Sequence, residues 1–374
     1  MGIAEHFSNL ETTKEHNGYF FSVGEALTVV ILGSLCGLRN VSQISQWAEN
    51  ERVKEFLNEH FRIKKVPCYY WLLCLLKVIE PKSLNNCMTN WVQSFLPDRI
   101  KGYTISFDGK TIRSTGKMDK YEKPMHIVSA HIAELGITLA SHKVDSATNE
   151  IPAVRELLEM LDVSGCMIVA DAMHCQKETD ALIACKGADY LLCAKDNQSS
   201  LKQDIEDYVQ DPDLQKSMDY AKTHEQNSGR IELRRAFVCN DIDWLHDKSE
   251  WKTLACIGAI NRQTTYKDKT TNEWHYYISS RKLTAQELLY HARMEWSIES
   301  MHWLLDVHFG EDFCRIEDEV TQQVLNNVRK IALNHIKGYK QNTGSKLPLS
   351  KIMLGCLLDC GKLVEVLGLG NFRN

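Results

Sequence analysis

The stretch Tyr103-Thr104-Ile105-Ser106-Phe107-Asp108-Gly109-Lys110-Thr111 decides the fold predicted for this chain of 374 residues. Polar and apolar side chains alternate from Thr104 to Phe107, which is the period of a β-strand. The run stops at Asp108-Gly109, a pair typical of a turn at a strand end. Taken alone, this pattern favours an ordinary surface β-turn. Its functional meaning depends on acidic residues further along the chain.

The residues after Asp108 predict a mixed sheet with helices on its faces. An apolar strand that ends at Asp171 is expected to lie beside the first strand, parallel to it, while the other early strands are antiparallel. Functional groups often gather at such strand ends, although Asp171 could also simply cap the next helix. The predicted elements are strands at 103–108, 125–133, 138–144, 166–170 and 190–194, and helices at 151–161 and 176–186.

Helices are predicted before this sheet and again after it. Apolar periodicity that ends at Pro97 predicts an all-helical N-terminal unit over residues 1–100, which could be a DNA-binding module or a helical cap. Strand-like pieces between polar loops predict a β-rich insertion at about 198–280. A capping box begins a long helix that is expected to run from Thr284 to Phe309, and residues 341–374 are expected to form a basic helical tail.

The long helix supplies a third acidic candidate. Trp296, Glu299 and Trp303 share one face, so a carboxylate is expected between two indoles, while Glu295 lies off that stripe. A carboxylate on a face that aromatic residues bury must be paired or bind a cation, because an isolated buried charge is costly. The pattern leaves two interpretations equally open: an ion pair with Arg293, or a metal site.

Two aspartates at neighbouring strand ends and a glutamate from a packed helix would form an oxygen-rich cluster suited to Mg²⁺ or Mn²⁺. Two such ions, about 4 Å apart, can activate a water and stabilise the leaving oxygen of a phosphoryl transfer. The sequence has no glycine-rich loop that cradles phosphates, which disfavours a nucleotide kinase or ATPase.

Composition bounds the class of protein. The 44% hydrophobic and 25% charged content is that of an ordinary globular protein, and no apolar run is long enough to span a bilayer. The N-terminus shows no export signal, and the 13 cysteines include no Cys-x-x-Cys pair. We therefore expect reduced thiols, a cytoplasmic location, no membrane association and no zinc site.

The net charge of −5 does not favour a nucleic-acid partner, but binding depends on local patches rather than on the total. From Val320 to Leu358 the chain has no acidic residue. Basic residues in this run, and a second cluster on a predicted strand, are therefore candidates for phosphate contact. They are Arg329, Lys330, Lys337, Lys340, Lys346 and Lys351 in the run, and Arg230, Arg234 and Arg235 in the cluster.

Several segments, in order over nearly the whole chain, resemble the DDE transposases of bacterial insertion sequences, in the group related to H-repeat-associated proteins. An N-terminal piece, LGSLCGLRNVSQISQWAE, is similar to the helical domain that precedes the catalytic one in this group. The other segments are FDGKTIR, HIVSAHIAELGITLASHKVDSATNEIPAVRELLEMLDVSGCMIVADAMHCQ, YLLCAKDNQ, SGRIELR, YYISS and WSIESMHWLLDVHFGED.

The resemblance implies a ribonuclease-H-like mixed sheet with flanking helices in residues 101–340, with the β-rich insertion inside it. It implies a transposase that cuts DNA at the ends of its element and joins them to target DNA, with two Mg²⁺ or Mn²⁺ ions. By resemblance, Asp108, Asp171 and Glu299 are the catalytic, metal-binding acids. Terminal inverted repeats and target DNA are the implied partners, with a homodimer in the synaptic complex.

The resemblance also implies DNA contacts and shows departures from the family pattern. The implied contact residues are Lys195, Asn197, Gln198, Tyr290 and Arg293. The departures are Glu295 where the family usually has histidine, Asp196 and His174 where glycine is usual or common, and Asp306 where the broader class often has lysine. Two alternatives stay open: a ribonuclease-H-like nuclease without strand transfer, and a domesticated DNA-binding protein without catalysis.

Overall fold

The structure, a computed structural model, describes residues 3–14, 21–96, 101–117, 123–227, 229–267 and 269–369. Strands and helices alternate in its middle third, as the sequence predicts. The strands are β1 (Thr104–Thr111), β2 (His126–Ile132), β3 (Ile137–Lys143), β4 (Met167–Ala170), β5 (Asp189–Ala194), β6 (Asp219–Asn227), β7 (Arg230–Cys239), β8 (Cys256–Tyr266) and β9 (Lys269–Ser279).

The described strands form one sheet in the order β3-β2-β1-β4-β5-β9-β8-β7-β6. β1 runs parallel to β4, and β4 runs parallel to β5, whereas β2 and β3 are antiparallel to their neighbours. The order 3-2-1-4-5 with this mixture of directions is the ribonuclease-H-like arrangement, so the predicted fold class is confirmed. The insertion strands extend the same sheet, because β9 pairs with β5 in an antiparallel ladder.

Helices cover both faces of this sheet and form the N-terminal quarter of the chain. They are α1 (Ile3–His6), α2 (Val23–Leu35), α3 (Val41–Ala48), α4 (Glu51–Phe61), α5 (Tyr69–Lys77), α6 (Pro81–Phe95), α7 (Glu150–Met160), α8 (Lys177–Cys185), α9 (Ser199–Gln210), α10 (Pro212–Gln215), α11 (Ala285–Glu295), α12 (Ser297–Phe309), α13 (Glu319–Thr343), α14 (Leu349–Leu358) and α15 (Cys360–Leu367). Within the described ranges, no helix is both long and apolar enough to cross a membrane.

The longest helix, α13, joins the N-terminal helices to the sheet. One side of it packs on β3 and another on α2, α5 and α6. Apolar residues of all these elements belong to one continuous hydrophobic core. Pro97, which is expected to end the helical unit, lies outside the described residues, and the domain boundaries at residues 100 and 340 stay predictions.

Two predicted element ends are wrong, and both lie near the acidic residues. β1 does not end at Asp108: its pairing with β4 stops at Phe107, but its pairing with β2 continues to Thr111. The helix that begins with the predicted capping box at Thr284 does not run unbroken to Phe309, because α11 and α12 meet at Trp296. Because of this break, Glu295 at the end of α11 and Glu299 at the start of α12 do not lie on one continuous helix.

The aromatic face predicted for the long helix is not buried. Trp296 and Trp303 are 50% and 59% exposed. The buried side of α12 instead carries Ile298, Met301, Leu305 and Phe309. Glu299 therefore lies on the exposed side of its helix, so the argument that burial forces it to be paired or metal-bound does not apply.

Candidate active site

Asp108 and Asp171 lie side by side where two central strands separate. Phe107 and Ala170 form the last pair of the β1–β4 ladder, and each aspartate is the next residue along the chain. The Asp108 side chain is 33% exposed and that of Asp171 is 54% exposed. The sequence-based placement of these two acids on adjacent strands therefore agrees with the sheet.

Asp171 also caps the turn that follows β4. One of its carboxylate oxygens, Oδ1, accepts a hydrogen bond of 2.7 Å from the Ala172 N–H and one of 3.0 Å from Lys195 Nζ. Burial acts to raise the pKa of Asp171, but these two hydrogen bonds outweigh it and lower the pKa. Asp171 is thus charged at neutral pH, and its role as a cap accompanies its position beside Asp108.

The junction of α11 and α12 brings two glutamates to the same place. Ser106 Oγ, on β1, donates a hydrogen bond of 3.0 Å to the Met294 carbonyl oxygen and so holds the end of α11 against the strand. Glu295 and Glu299 then line one open cleft of about 700 Å³ together with Asp108 and Asp171. We call these four residues the acidic cluster.

Negative charge is crowded in the acidic cluster. Burial raises the pKa of Asp108 to about 7, and Glu150, Glu299 and Asp171 add to the rise by repulsion. Burial likewise raises the pKa of Glu295 to about 8; repulsion from Asp171 adds to the rise, and attraction to Lys195 opposes it. Such mutual repulsion is expected where several carboxylates share a site without enough positive charge.

The acidic cluster fits a hard divalent cation by its chemistry rather than by a preformed coordination shell. Among the described residues, no three histidine, cysteine, aspartate or glutamate side chains are grouped closely enough to hold a metal ion. The donors are nevertheless carboxylate oxygens, which suit Mg²⁺ and Mn²⁺ better than softer ions. The raised pKa values of Asp108 and Glu295 mark uncompensated charge that a cation would neutralise.

A second group of polar residues, which the sequence reasoning missed, lies beside Asp108. His302 Nδ1 lies 3.5 Å from Asp108 Oδ2. Glu150, the first residue of α7, lies 2.7 Å from His126 Nε2 and 3.6 Å from His174 Nε2. His126 and Glu150 lie in the segment HIVSAHIAEL…TNEIPAV, but their spacing in the sequence does not indicate that they are in contact.

A buried ion network connects β1 with the helices that follow the acidic cluster. Lys110 Nζ donates to Asp306 and, at 2.8 Å, to Glu311 Oε2. Glu311 Oε1 accepts a hydrogen bond of 2.7 Å from Asn326, which itself accepts one of 2.6 Å from Lys330 Nζ. Asp306, a departure from the family pattern, thus pairs with a lysine on β1.

Two residues predicted to contact DNA are in the core instead. Arg329 and Lys330 are 3% and 1% exposed. Lys330 Nζ donates to Asn326 and, at 2.9 Å, to Ser129 Oγ on β2. The prediction of phosphate contact is therefore wrong for both, because they lie on buried sides of α13. Lys337 is only partly buried, and its DNA contact stays a prediction.

The residues implied by resemblance to contact DNA already have partners within the chain. Asn197 and Gln198 donate hydrogen bonds of 2.7 and 2.9 Å to the Ala172 and Cys175 carbonyl oxygens, and so fasten the loop after β4. The Tyr290 hydroxyl donates to Glu134 at 3.1 Å, and Arg293 pairs with Glu225. These contacts give the four residues structural roles, and DNA contact by the same residues stays a prediction.

An arginine wall on the insertion strands faces the acidic cluster across the cleft. Arg230, Arg234 and Arg262 line it, with Arg234 and Arg262 directly opposite each other on β7 and β8. The Arg262 guanidinium lies 5.3 Å from the centre of the exposed Trp296 ring, which is a cation–π distance. Glu232 and Glu273 pair with these arginines and hold them in place.

Comparison with known proteins agrees with this architecture. The family described as "Transposase DDE domain" matches residues 100–335, and the domain described as "DDE_Tnp_1-associated" matches residues 4–92. The chain is 29% identical to the "H repeat-associated putative transposase YhhI" of Escherichia coli K12, over 98% of this chain and 97% of that protein. It is 31% identical to the "Putative transposase YncI" of Escherichia coli O157:H7, over 86% and 85% of the two chains.

Among solved structures, a piggyBac transposase synaptic complex with hairpin DNA aligns with 100% of this chain and 80% of its own, with a TM-score of 0.48 and 11% identity. That similarity is too low to transfer its DNA geometry to this chain. The family match covers most of the chain, includes both the sheet and the acidic cluster, and confirms the resemblance noted from the sequence motifs. The chain belongs to the family of transposases with a DDE domain.

Proposed function

We propose that this protein cuts DNA at the ends of its own element and joins the freed 3′-hydroxyl to target DNA. The observation that carries the proposal is the meeting of Asp108, Asp171 and Glu299 in one open cleft of a DDE-family chain. Terminal inverted repeats and target DNA are the proposed substrates. Because two ends must be held together before joining, we propose a homodimer as the active assembly, and we keep a cytoplasmic location as a prediction.

Asp108, Asp171 and Glu299 are the proposed ligands of two Mg²⁺ or Mn²⁺ ions. Such ions, when bound, lower the pKa of an attacking water or hydroxyl and neutralise the leaving oxygen. Lys195 holds Asp171 in position through its 3.0 Å contact. The arginine wall provides positive charge for the phosphates of a strand in the cleft. Glu295, which is less exposed than Glu299, is a fourth acidic side chain in the cleft, and its ionised form would oppose strand entry.

The test is cleavage of labelled DNA that carries the flanking terminal repeats, with Mg²⁺, with Mn²⁺ and with EDTA. Asp108→Ala, Asp171→Ala and Glu299→Gln are each expected to lower the cleavage rate at least about 100-fold, because each removes a proposed ligand of the cations that stabilise the transition state. Binding to the repeats should persist. Asp213→Asn is the matched control, since Asp213 is an exposed acid that pairs with nearby Lys216 on the chain surface.

The products separate the alternatives. Joined strands support the transposase, whereas cut but unjoined strands support a ribonuclease-H-like nuclease. Binding of the repeats without cutting in any metal would support a domesticated DNA-binding protein, with Glu295 as the first residue to replace. Full cleavage by any one of the three acid variants would contradict the assignment of that residue.

A further inference from the structure

We propose that Glu150, His126 and His174 form a clamp that positions Asp108 relative to Asp171. We call these three residues the strand clamp, and none of them is one of the three proposed catalytic acids. The inference rests on the proposed function, since it concerns how the acidic cluster is held in shape for a divalent cation.

The strand clamp bridges three strands with one carboxylate. Glu150 Oε1 lies 2.7 Å from Nε2 of His126, the first residue of β2. Glu150 Oε2 lies 3.6 Å from Nε2 of His174, which follows β4. β1 lies between β2 and β4 in the sheet, so the carboxylate spans the strand that carries Asp108.

Gly109 provides the space for this bridge. A side chain built at Gly109 would collide with His126 Nε2 and with the carboxyl group of Glu150. The backbone of residue 109 is ordinary strand, so glycine favours this position by allowing the close approach of two side-chain ends rather than by its conformational freedom. The carboxylate therefore lies directly against β1, one residue beyond Asp108.

The strand clamp acts where the sheet itself no longer holds the aspartates together. The β1–β4 ladder ends at Phe107 and Ala170, so no backbone pairing joins the segments that carry Asp108 and Asp171. β1 is still paired with β2 beyond this point, from Asp108 and Ser129 to Thr111 and His126. The contacts of Glu150 with His126 and His174 thus connect β2, which still pairs with β1 here, to the segment after β4, which does not.

Hydrogen bonds and burial hold the three side chains of the strand clamp in place. His126 Nδ1 lies 2.8 Å from Thr111 Oγ1, so both ring nitrogens are engaged. His174 is 1% exposed, and among the described residues neither of its ring nitrogens has a hydrogen-bond partner; Glu150 Oε2 lies 3.6 Å from its Nε2. Burial acts to raise the pKa of Glu150, but its contacts with both histidines outweigh burial and lower the pKa to about 2.

A purely local role is the competing explanation. Glu150 is the first residue of α7, where a negative charge stabilises a helix N-terminus. A local role requires neither contact with both histidines nor a glycine beneath the carboxylate. It also predicts that loss of Glu150 changes stability alone, whereas the clamp predicts a change in cation affinity.

The experiment measures Mn²⁺ binding to the full chain by electron paramagnetic resonance, with binding of terminal-repeat DNA in EDTA and thermal unfolding as companion measurements. Glu150→Ala and His126→Ala are each expected to weaken Mn²⁺ binding about 10- to 100-fold, the usual effect of removing groups that orient metal ligands. DNA affinity should not change. Glu150→Gln, which keeps the size and one hydrogen bond, should give a smaller loss and remains informative if Glu150→Ala does not fold.

Glu156→Gln is the matched control. Glu156 lies on the same helix and also pairs with a histidine, His142, at 3.2 Å, but not beside Asp108. It should bind Mn²⁺ as the wild type does. Wild-type affinity in a folded Glu150→Ala variant would overturn the clamp. A loss in Glu150→Ala without one in His126→Ala would also overturn it, because Glu150 would then be a direct ligand.

The same measurement separates failure of the clamp from failure of the proposed function. If Asp108→Ala abolishes Mn²⁺ binding and Glu150→Ala does not alter it, only the clamp is contradicted. If the wild type binds no Mn²⁺, both the clamp and the metal-dependent mechanism are contradicted.

Discussion

At the scale of single residues, Gly109 resembles a turn residue in the sequence, but it lies inside a strand and the side chains packed against it favour glycine. The pair Asp108-Gly109 is typical of a strand end, yet β1 continues past it to Thr111. Glycine is needed because Glu150 and His126 occupy the space above its Cα. The motif that the sequence offers as turn chemistry is therefore a packing requirement of the site.

Gly109→Ala is expected to destabilise the protein by about 1–3 kcal/mol, because the added methyl group has no room and must displace the strand clamp. Urea unfolding measures this change, and Mn²⁺ binding should weaken in parallel. Gly338→Ala is the control with the opposite expected sign. Gly338 lies inside α13 with open space around its Cα, so alanine should stabilise by about 0.5–1 kcal/mol. Equal effects at the two positions would contradict the packing argument.

Some site residues can be predicted from the sequence and others cannot, for a physical reason. Asp108 and Asp171 can be placed together because strand period and topology fix which residues meet at strand ends. The prediction for Lys330 is wrong because a basic run does not show which face of a helix is buried. A signal is present: Asn326, Lys330 and Asn334 repeat at four-residue spacing, and the structure places this polar stripe against β2, β3 and Glu311.

At the scale of elements, α12 is held by its buried apolar side and by ion pairs rather than by continuity with α11. α11 and α12 are separate helices, so the acid on α12 needs another anchor. Lys110, two residues beyond Asp108, pairs with Asp306 on α12 and with Glu311 just after it. Sequence periodicity predicts one helix here, because the break at Trp296 has no proline or glycine to mark it.

The two carboxylates that hold Lys110 should differ in their contribution to stability. Glu311 is fully buried, so Glu311→Gln leaves Lys110 and Lys330 without their shared counter-charge and should cost about 3–5 kcal/mol. Asp306 is 31% exposed on its side chain, and Asp306→Asn should cost about 1 kcal/mol or less. Denaturant unfolding of both variants checks the order. A larger loss of stability in Asp306→Asn would show that the exposed pair, not the buried one, anchors α12.

At the scale of the whole molecule, the insertion completes the cleft by extending the sheet. The sequence predicts a β-rich insertion, and β6 to β9 confirm it, but strand propensity could not show that β9 would pair with β5. That pairing is a contact between residues far apart in the chain. It turns β7 and β8 so that Arg230, Arg234 and Arg262 face the acidic cluster. The net charge of −5 thus coexists with a cleft wall that carries three arginines, each of which pairs with a glutamate.

The arginine wall should account for part of the salt dependence of DNA binding. Arg230→Gln and Arg234→Gln are each expected to weaken binding of terminal-repeat DNA and to reduce the slope of log affinity against log salt by about 0.9 for every phosphate that is no longer neutralised. Arg235→Gln is the matched control, because Arg235 follows Arg234 on β7 but alternation turns it to the opposite face, where it donates to Asn261 at 3.1 Å. Fluorescence anisotropy over a range of salt concentrations measures both quantities. An equal reduction of the slope in Arg235→Gln would mean that arginines on both faces of β7 contribute to DNA affinity, not only those that face the acidic cluster.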